Sequence, residues 1–177
     1  FVLEPLHEIA PELVLAKGGP TVSELLKNLS ALRIRPVGNS PEECEEAATA
    51  LNRLMPSLTE DYTALKAADV ARMLSTGLTR IYLGRDESGK VQAGATLVLC
   101  CSPTGCKAWI EDVAVMPDCR RRGYGRAIIR FLIAESQRLG AKSLNLTSQP
   151  KREAANALYR SEGFVQRETN VYRWQEK

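Results

Sequence analysis

Within the 177-residue chain, the stretch richest in chemistry is Val115-Met116-Pro117-Asp118-Cys119-Arg120-Arg121-Arg122-Gly123-Tyr124-Gly125-Arg126. Glycines let a main chain turn sharply and come close to a ligand. A helix starting directly behind them offers backbone N–H groups that have no partner inside the helix. With the positive end of the helix dipole and the guanidinium groups added, the segment suits a phosphate-bearing ligand. Two other phosphate motifs do not fit: there is no Gly-Lys-Ser/Thr, and Ile128 stands where a dinucleotide fingerprint needs its third glycine. The competing reading of Arg120, Arg121, Arg122 and Arg126 is a solvated basic patch.

The elements that must position this segment are legible on either side of it. Residues 33–37 alternate as a first strand, and Ser40, Pro41 and Glu43 supply a capping box with proline at the first helical position. Cys44, Ala47, Ala48, Leu51, Leu54 and Met55 then share one helical face, which ends at Pro56. The spacing predicts a second helix over 63–75, with Leu65, Ala68, Met73 and Leu74 inward and Gly77 as its stop. The period then changes to two. Residues 79–85, a turn at Glu87, Ser88, Gly89 and Lys90, and residues 91–101 read as a hairpin. A further strand over 107–116 closes at Pro117, which cannot donate to a ladder. Residues 124–139 form an apolar helix stopped by Gly140, and 143–147 alternate again. The glycine-arginine segment therefore opens the helix of a β-α-β unit. A last helix over 152–162 stops at Gly163, and a β-rich tail runs over 164–174. Residues 1–30 read as an N-terminal extension with a short helix over 22–29, leaving 31–177 as the main domain.

Apolar residues at 44% and charged residues at 25% describe one globular domain and exclude a disordered or fibrous chain. No apolar run is long enough to span a bilayer, so no membrane partner is expected. The net charge of +3 is small, its basic residues are gathered on one loop, and aromatics are only 6%, so no nucleic acid is expected either. The single histidine, His7, lies in the N-terminal stretch and no Cys-x-x-Cys pair exists, which argues against a metal site. The five cysteines, Cys44, Cys100, Cys101, Cys106 and Cys119, read as reduced thiols, and the chain as cytoplasmic.

A second segment follows at a distance: Arg152-Glu153-Ala154-Ala155-Asn156-Ala157-Leu158-Tyr159-Arg160-Ser161-Glu162-Gly163-Phe164. Together with Arg120-x-x-Gly123-x-Gly125 behind a strand-ending Val-x-Pro, it resembles the GNAT superfamily of acetyl-CoA-dependent N-acyltransferases. The first motif resembles that superfamily's pyrophosphate loop and the second its last helix. The resemblance covers residues 32–174, and the strand from Trp109 with the tail from Arg167 is similar to small microbial-type members. It implies an α+β fold in three layers, α/β/α, with a mixed, mostly antiparallel sheet and helices on both faces. It also implies acetyl-CoA as cosubstrate and no metal. The implied contacts are the strand end Val113, Ala114 and Val115, the loop Arg120, Arg121, Arg122 and Gly123, the first helical turn Tyr124, Gly125, Arg126 and Ala127, and Asn156. One position departs from the pattern: Arg152 stands seven residues before Tyr159, where the superfamily often has asparagine, and Asn156 is the substitute.

The implied reaction is transfer of acetyl to an amine on a small molecule or peptide, by a monomer or homodimer. A lysine-like ammonium must first lose a proton, which costs about 4 to 5 kcal/mol at neutral pH, so a general base or water relay is needed. Strand alternation puts Glu111 on one face with Trp109, Val113 and Val115, and Asp112 on the other with Ile110 and Ala114. Glu111 is the expected base, because superfamily members with a carboxylate base often carry it on this strand with this parity; the alternative is that both carboxylates satisfy neighbouring polar groups. The departing thiolate, with a pKa of about 8.5, is less demanding. Tyr159 matches the superfamily's usual acid, and its helical spacing with Ala155 and Leu158 equally suits core packing. Backbone N–H groups near Val113 to Val115 suit the charge that grows on the acetyl oxygen. A non-catalytic acyl-CoA-binding or sensor domain on the same fold is the alternative function.

Overall fold

A computed structural model describes residues 8–14, 21–22 and 32–176. The chain divides into two units, Phe1–Thr147 and Ser148–Lys177. Among the described residues of the first, five strands are formed: β1 (Arg33–Pro36), β2 (Thr79–Arg85), β3 (Val91–Ser102), β4 (Gly105–Val115) and β5 (Leu144–Leu146). They lie in that order in one sheet, antiparallel throughout except for the parallel pair β4 and β5. The mixed, mostly antiparallel sheet implied by the sequence motifs is thus present.

Helix α1 (Pro41–Leu54) starts as its capping box dictates. The Glu43 N–H donates to Ser40 Oγ at 3.2 Å, and the Ser40 N–H donates to Glu43 Oε2 at 3.4 Å. Such a cap contributes about 1 kcal/mol. The helix ends in a 3-10 turn at Met55–Ser57, where Pro56 removes a donor. Helix α2 (Ala67–Leu74) is shorter than the 63–75 expected. The Asn52 side chain holds both the N–H and the C=O of Leu65, which takes that residue's backbone groups out of helical bonding. The inward face of α2 also differs: Val70 is fully buried, while Ala68 and Met73 are exposed.

Alternation along β2 sorts the two helical layers. Ile81 and Leu83 join Leu51, Leu54, Val70 and Ala114 in one buried cluster, so α1 and α2 cover that face. Tyr82 points the other way, meets Phe131 edge-on at 5.2 Å and donates to Glu135 at 2.9 Å. Helix α3 (Tyr124–Arg138) therefore covers the opposite face, burying Ile128, Ile129 and Leu132. A side chain at Gly94 would bring its Cβ within 3.1 Å of Leu54 Cδ1, so glycine there lets α1 sit close on β3.

Two expectations change. A two-residue turn at Pro103 and Thr104 sets Cys101 opposite Cys106, with Cα atoms 3.9 Å apart, and the two form a disulfide. The reading of all five cysteines as reduced thiols is corrected for this pair; Cys44 and Cys119 are buried free thiols and Cys100 is exposed. In the second unit, α4 (Glu153–Ser161) forms as expected, but residues 164–176 carry no strand. Val165, Val171, Tyr172 and Trp174 there are 80–86% exposed. Their β propensity is real, yet a strand needs a partner ladder, which local sequence does not supply. In the N-terminal stretch Val14 bridges Thr21 and Val22 is fully buried. The rest of the helix expected over 22–29 lies outside the described residues.

Candidate active site

The centre of the site is a break in β4. Thr96 pairs with Glu111 and Gly94 with Ala114, so Asp112 and Val113 together face the single Ala95. This is a β-bulge, and Asp112 takes the left-handed conformation, with φ 53°. A non-glycine residue there costs about 1 kcal/mol or more and points to a constrained site. The extra residue resets the alternation. Glu111 does share a face with Trp109, because their partners Thr96 and Val98 do. Beyond the bulge the parity reverses: Ala114 faces α1 with Glu111, while Val115, opposite Ala93, lies on the α3 side. The expected grouping of Glu111 with Val113 and Val115 is corrected accordingly.

The same region is where β4 loses a neighbour. Its pairing with β5 ends at Ile110 and Leu146. The Ala108 N–H donates toward β5, to Ser143 at 2.8 Å, and the Met116 N–H donates toward β3, to Gln92 at 2.9 Å. Ladder alternation then directs the N–H groups of Val113 and Val115 to the edge that β5 no longer covers. Such uncommitted donors suit developing negative charge on an oxygen.

From β4 the chain runs through a 3-10 turn at Pro117–Cys119 into the loop ahead of α3. Arg121 and Gly123 are both left-handed, at φ 61° and 80°. Alternating left- and right-handed residues turn successive N–H groups inward. Helix α3 has no side-chain cap, and its first internal bond is from the Ala127 N–H to the Gly123 carbonyl. Tyr124 and Gly125 thus offer N–H groups that no side chain caps, at the dipole's positive end. Arg120, Arg121, Arg122 and Arg126 are exposed around them. The donor set matches a diphosphate: several N–H groups, several guanidiniums and no carboxylate in the segment 119–127. Tyr124 could offer a ligand only its backbone, because its side chain is buried; burial is also the first cause of its raised phenol pKa.

The turn between β2 and β3 is held by its own acidic residue. Asp86 accepts bonds from Ser88 Oγ and Gln92 Nε2, both at 2.6 Å, and from the N–H groups of Ser88 and Lys90, both at 3.0 Å. These bonds, Ser88 first and Gln92 second, hold its carboxyl down at about 2. Its charge is felt at both Cys119 and Tyr124.

The Glu111 carboxylate makes no hydrogen bond or ion pair among the described residues. Desolvation, and then the charge of Asp112, raise its pKa above the ordinary glutamate range. On the connection between α1 and α2, burial first raises the Tyr62 pKa, the Leu65 backbone hydrogen bond opposes this, and the Asp112 charge adds a smaller upward push. Tyr62 and its partner Asn52 were not singled out from sequence. The available signal was an asparagine inside a helix, a residue type that commonly serves a backbone elsewhere.

In the second unit, Tyr159 lies on α4 with its ring edge-on to Phe164 at 6.0 Å. Its hydroxyl has no hydrogen-bond partner among the described residues. Burial raises its pKa and the Arg152 charge partly offsets this. Asn156 donates from Nδ2 to the carbonyls of Gln149 at 3.0 Å and Pro150 at 3.5 Å, so its amide nitrogen ties the preceding loop to the helix and only its oxygen is left for a ligand.

Elsewhere, a shallow recess lies between β1, β2 and α1, lined by Arg35, Val37, Glu43, Glu46, Leu83 and Arg85. Arg85 and Glu46 pair across it at 2.8 Å, and the sheet order puts it away from β4. It lacks the donors of the α3 loop. Among the described residues no group of three or more His, Cys, Asp or Glu side chains converges on a metal position, and no helix is long and apolar enough to cross a membrane.

The chain is similar in structure to a protein of Agrobacterium tumefaciens assigned as an acetyltransferase, with TM-score 0.69 and 28% identity over 81% of this chain and 99% of that one. It also shares its fold with an aminoglycoside acetyltransferase from an uncultured soil metagenomic sample, solved with sisomicin, at TM-score 0.72 and 17% identity over 86% and 99% of the two chains. In sequence it is 41% identical over 58 residues to the [ribosomal protein bS18]-alanine N-acetyltransferase of Escherichia coli. That match takes in 33% of this chain and 39% of the relative, so the chain spans about two-fifths of the length of the curated relatives it matches. Residues 48–164, from the middle of α1 to just beyond α4, match the acetyltransferase (GNAT) family as a whole, and the chain belongs to that family.

Proposed function

We propose that the chain is an N-acetyltransferase that uses acetyl-CoA to acetylate a primary amine by direct attack. The observation that carries this reading is the uncapped start of α3 behind the left-handed Arg121 and Gly123, with arginines around it. The N–H groups of Tyr124 and Gly125 and the guanidiniums of Arg120, Arg121, Arg122 and Arg126 would hold the diphosphate. The Val113 and Val115 N–H groups, on the uncovered edge of β4, would stabilise charge at the acetyl oxygen. Asn156 Oδ1 is a further contact in this reading. Acetyl-CoA supplies an acyl group on a good leaving sulfur.

Glu111 is the general base. A raised pKa brings a carboxylate nearer neutrality, where it accepts a proton more effectively while still ionised. It takes a proton from the substrate ammonium, directly or through one water. The freed amine nitrogen then forms the C–N bond as the C–S bond breaks. Tyr159 holds its proton at neutral pH, because burial favours the neutral phenol, and donates it to the leaving sulfur. The acylated nitrogen then sheds its second proton, which restores the Tyr159 phenol through solvent, so the net products are an amide, a free thiol and the proton held by Glu111.

A screen of thiol release from acetyl-CoA tests this reading. The panel comprises an N-terminal alanine peptide, lysine, spermidine, glucosamine 6-phosphate and sisomicin. At least one amine is expected to be acetylated at a rate well above hydrolysis. Tight acetyl-CoA binding without thiol release on any of them would instead identify a binding or sensor domain. The Tyr159→Phe variant is expected to lose turnover by about 10²-fold or more, as removal of a general acid does, with little change in acetyl-CoA affinity. Equal losses in both would make that hydroxyl a binding contact.

A further inference from the structure

The hairpin of β3 and β4 reaches past both of its neighbours in the sheet. Pairing with β2 stops at Thr79 and Val98, and pairing with β5 stops at Ala108 and Leu144. The last rungs, Cys100 with Lys107, Cys101 with Cys106 and Ser102 with Gly105, therefore form a two-stranded ribbon. Such a ribbon is marginal in water by itself, and the Cys101–Cys106 disulfide bridges it.

A bridge that serves stability gains most by closing a long loop. This one encloses only Ser102, Pro103, Thr104 and Gly105, so its contribution to the fold is at the low end for a disulfide. Its surroundings suit exchange instead. Cys101 is exposed and Cys106 partly exposed, so an incoming thiolate has access to the sulfurs. The Lys142 ammonium sits on the same turn, donating to the Thr104 carbonyl at 3.2 Å. Lys107 follows Cys106, and residues 98–110 contain no carboxylate side chain. Positive charge of this kind draws in an anionic thiolate and steadies the sulfur that leaves. The ribbon also holds the connection that follows α3: the Lys142 N–H donates to the Cys106 carbonyl at 2.9 Å, and the Ala108 N–H to the Ser143 carbonyl at 2.8 Å.

We propose that Cys101 and Cys106 are a reversible dithiol/disulfide couple, which exchanges with small anionic thiols such as glutathione and, when oxidised, latches the connection from α3 to β5. A glutathione thiolate attacks Cys101 Sγ and forms a mixed disulfide. The Cys101–Cys106 bond breaks, and Cys106 leaves as a thiolate that takes up a proton. A second glutathione thiolate attacks the glutathione sulfur of the mixed disulfide and releases Cys101, which is protonated in turn. The cysteine pair has then gained two electrons and two protons, and two glutathiones have become one glutathione disulfide, which drives the reverse. Cys100 takes no part, because strand alternation puts it on the other face of the ribbon. The couple is independent of the acetyltransferase reading.

Alkylation of the folded chain with iodoacetamide, followed by peptide mapping, tests the couple. The Cys100→Ser chain is used, since Cys100 is the exposed free thiol and Cys44 and Cys119 are buried. The chain is equilibrated with glutathione and glutathione disulfide over a range of ratios. Positions 101 and 106 are expected to be unlabelled at oxidising ratios, labelled together at reducing ones, and protected again when the ratio is reversed. A bridge that millimolar glutathione leaves intact, and that only dithiothreitol in denaturant opens, is a structural staple and overturns the couple. Labelling of both cysteines at every ratio overturns it as well. Hydrogen exchange tests the latch. The Lys142 amide is expected to exchange about tenfold or more faster in the reduced chain, as loss of a short-loop bridge permits local opening. The amides of Ile128 and Leu132 inside α3 should keep their protection. Equal exchange at Lys142 in the two states overturns the latch.

Discussion

Gly125→Glu is expected to abolish acetyl-CoA binding while leaving the protein folded. Gly125 is in the first turn of α3 with ordinary helical backbone, since it is absent from the positive-φ residues, so a side chain introduces no backbone strain. Glutamate is a better helix former than glycine by about 0.5 kcal/mol or more, and a negative charge near a helix N-terminus adds about 0.3–1 kcal/mol. Thermal stability should therefore hold or rise. The same carboxylate competes for the N–H groups that would receive the diphosphate and repels it. A misplaced like charge costs several kcal/mol, which at about 1.4 kcal/mol per tenfold is more than a hundredfold in Kd. Titration calorimetry is expected to detect no binding with an undiminished Tm. Normal affinity would remove the α3 loop from the site.

The second large effect is at Glu111. Glu111→Gln is expected to lower kcat/KM by about 10²- to 10⁴-fold, the range for a lost general base, and to erase the acidic limb of the pH profile. In the wild type that limb should titrate above the ordinary glutamate range, because desolvation first and Asp112 second favour the protonated form. The stability effect has the opposite sign. A carboxyl whose pKa is raised on folding contributes most at acid pH, and that contribution is lost as pH climbs through the raised value. At neutral pH the ionised Glu111 is therefore a cost to the fold, which glutamine removes, so Tm at pH 7 should stay level or increase. Lower activity with equal or higher stability is the signature of a strained functional group. Parallel loss of activity and Tm would make Glu111 structural, and an acid limb that survives in Glu111→Gln would assign the base elsewhere.

Strain and electrostatics coincide in this structure. Asp112 and Arg121 are non-glycine residues with positive φ among those described, and they occupy the β4 bulge and the loop ahead of α3. One re-aims a strand beside the candidate base; the other turns backbone donors inward. The physical account is the same at both: an unfavourable local conformation persists where surrounding structure over-determines it.

Much of this was legible in the residues alone. The capping box of Ser40 and Glu43, the stops at Pro56 and Pro117, the hairpin turn at Ser88 and Gly89 and the start of α3 behind Gly123 all depend on chemistry within about four residues, so local pattern determines them. The glycine-arginine loop and the helix of Tyr159 belong with these, and the family and fold follow from their order. What tertiary structure alone decided involves partners far along the chain. Whether Asp112 bulges depends on pairing with β3, and with that choice the faces of Ala114 and Val115 exchange. Asn52 reaches Leu65 only because α1 and the following connection fold against one another, which shortens α2 and commits the Tyr62 hydroxyl to Asn52. Cys101 and Cys106 meet because a two-residue turn sets their strands in register, and residues 164–176 remain without a ladder despite their propensity. Local pattern specifies how a segment folds, whereas the facing segment decides which of its groups are left over for chemistry.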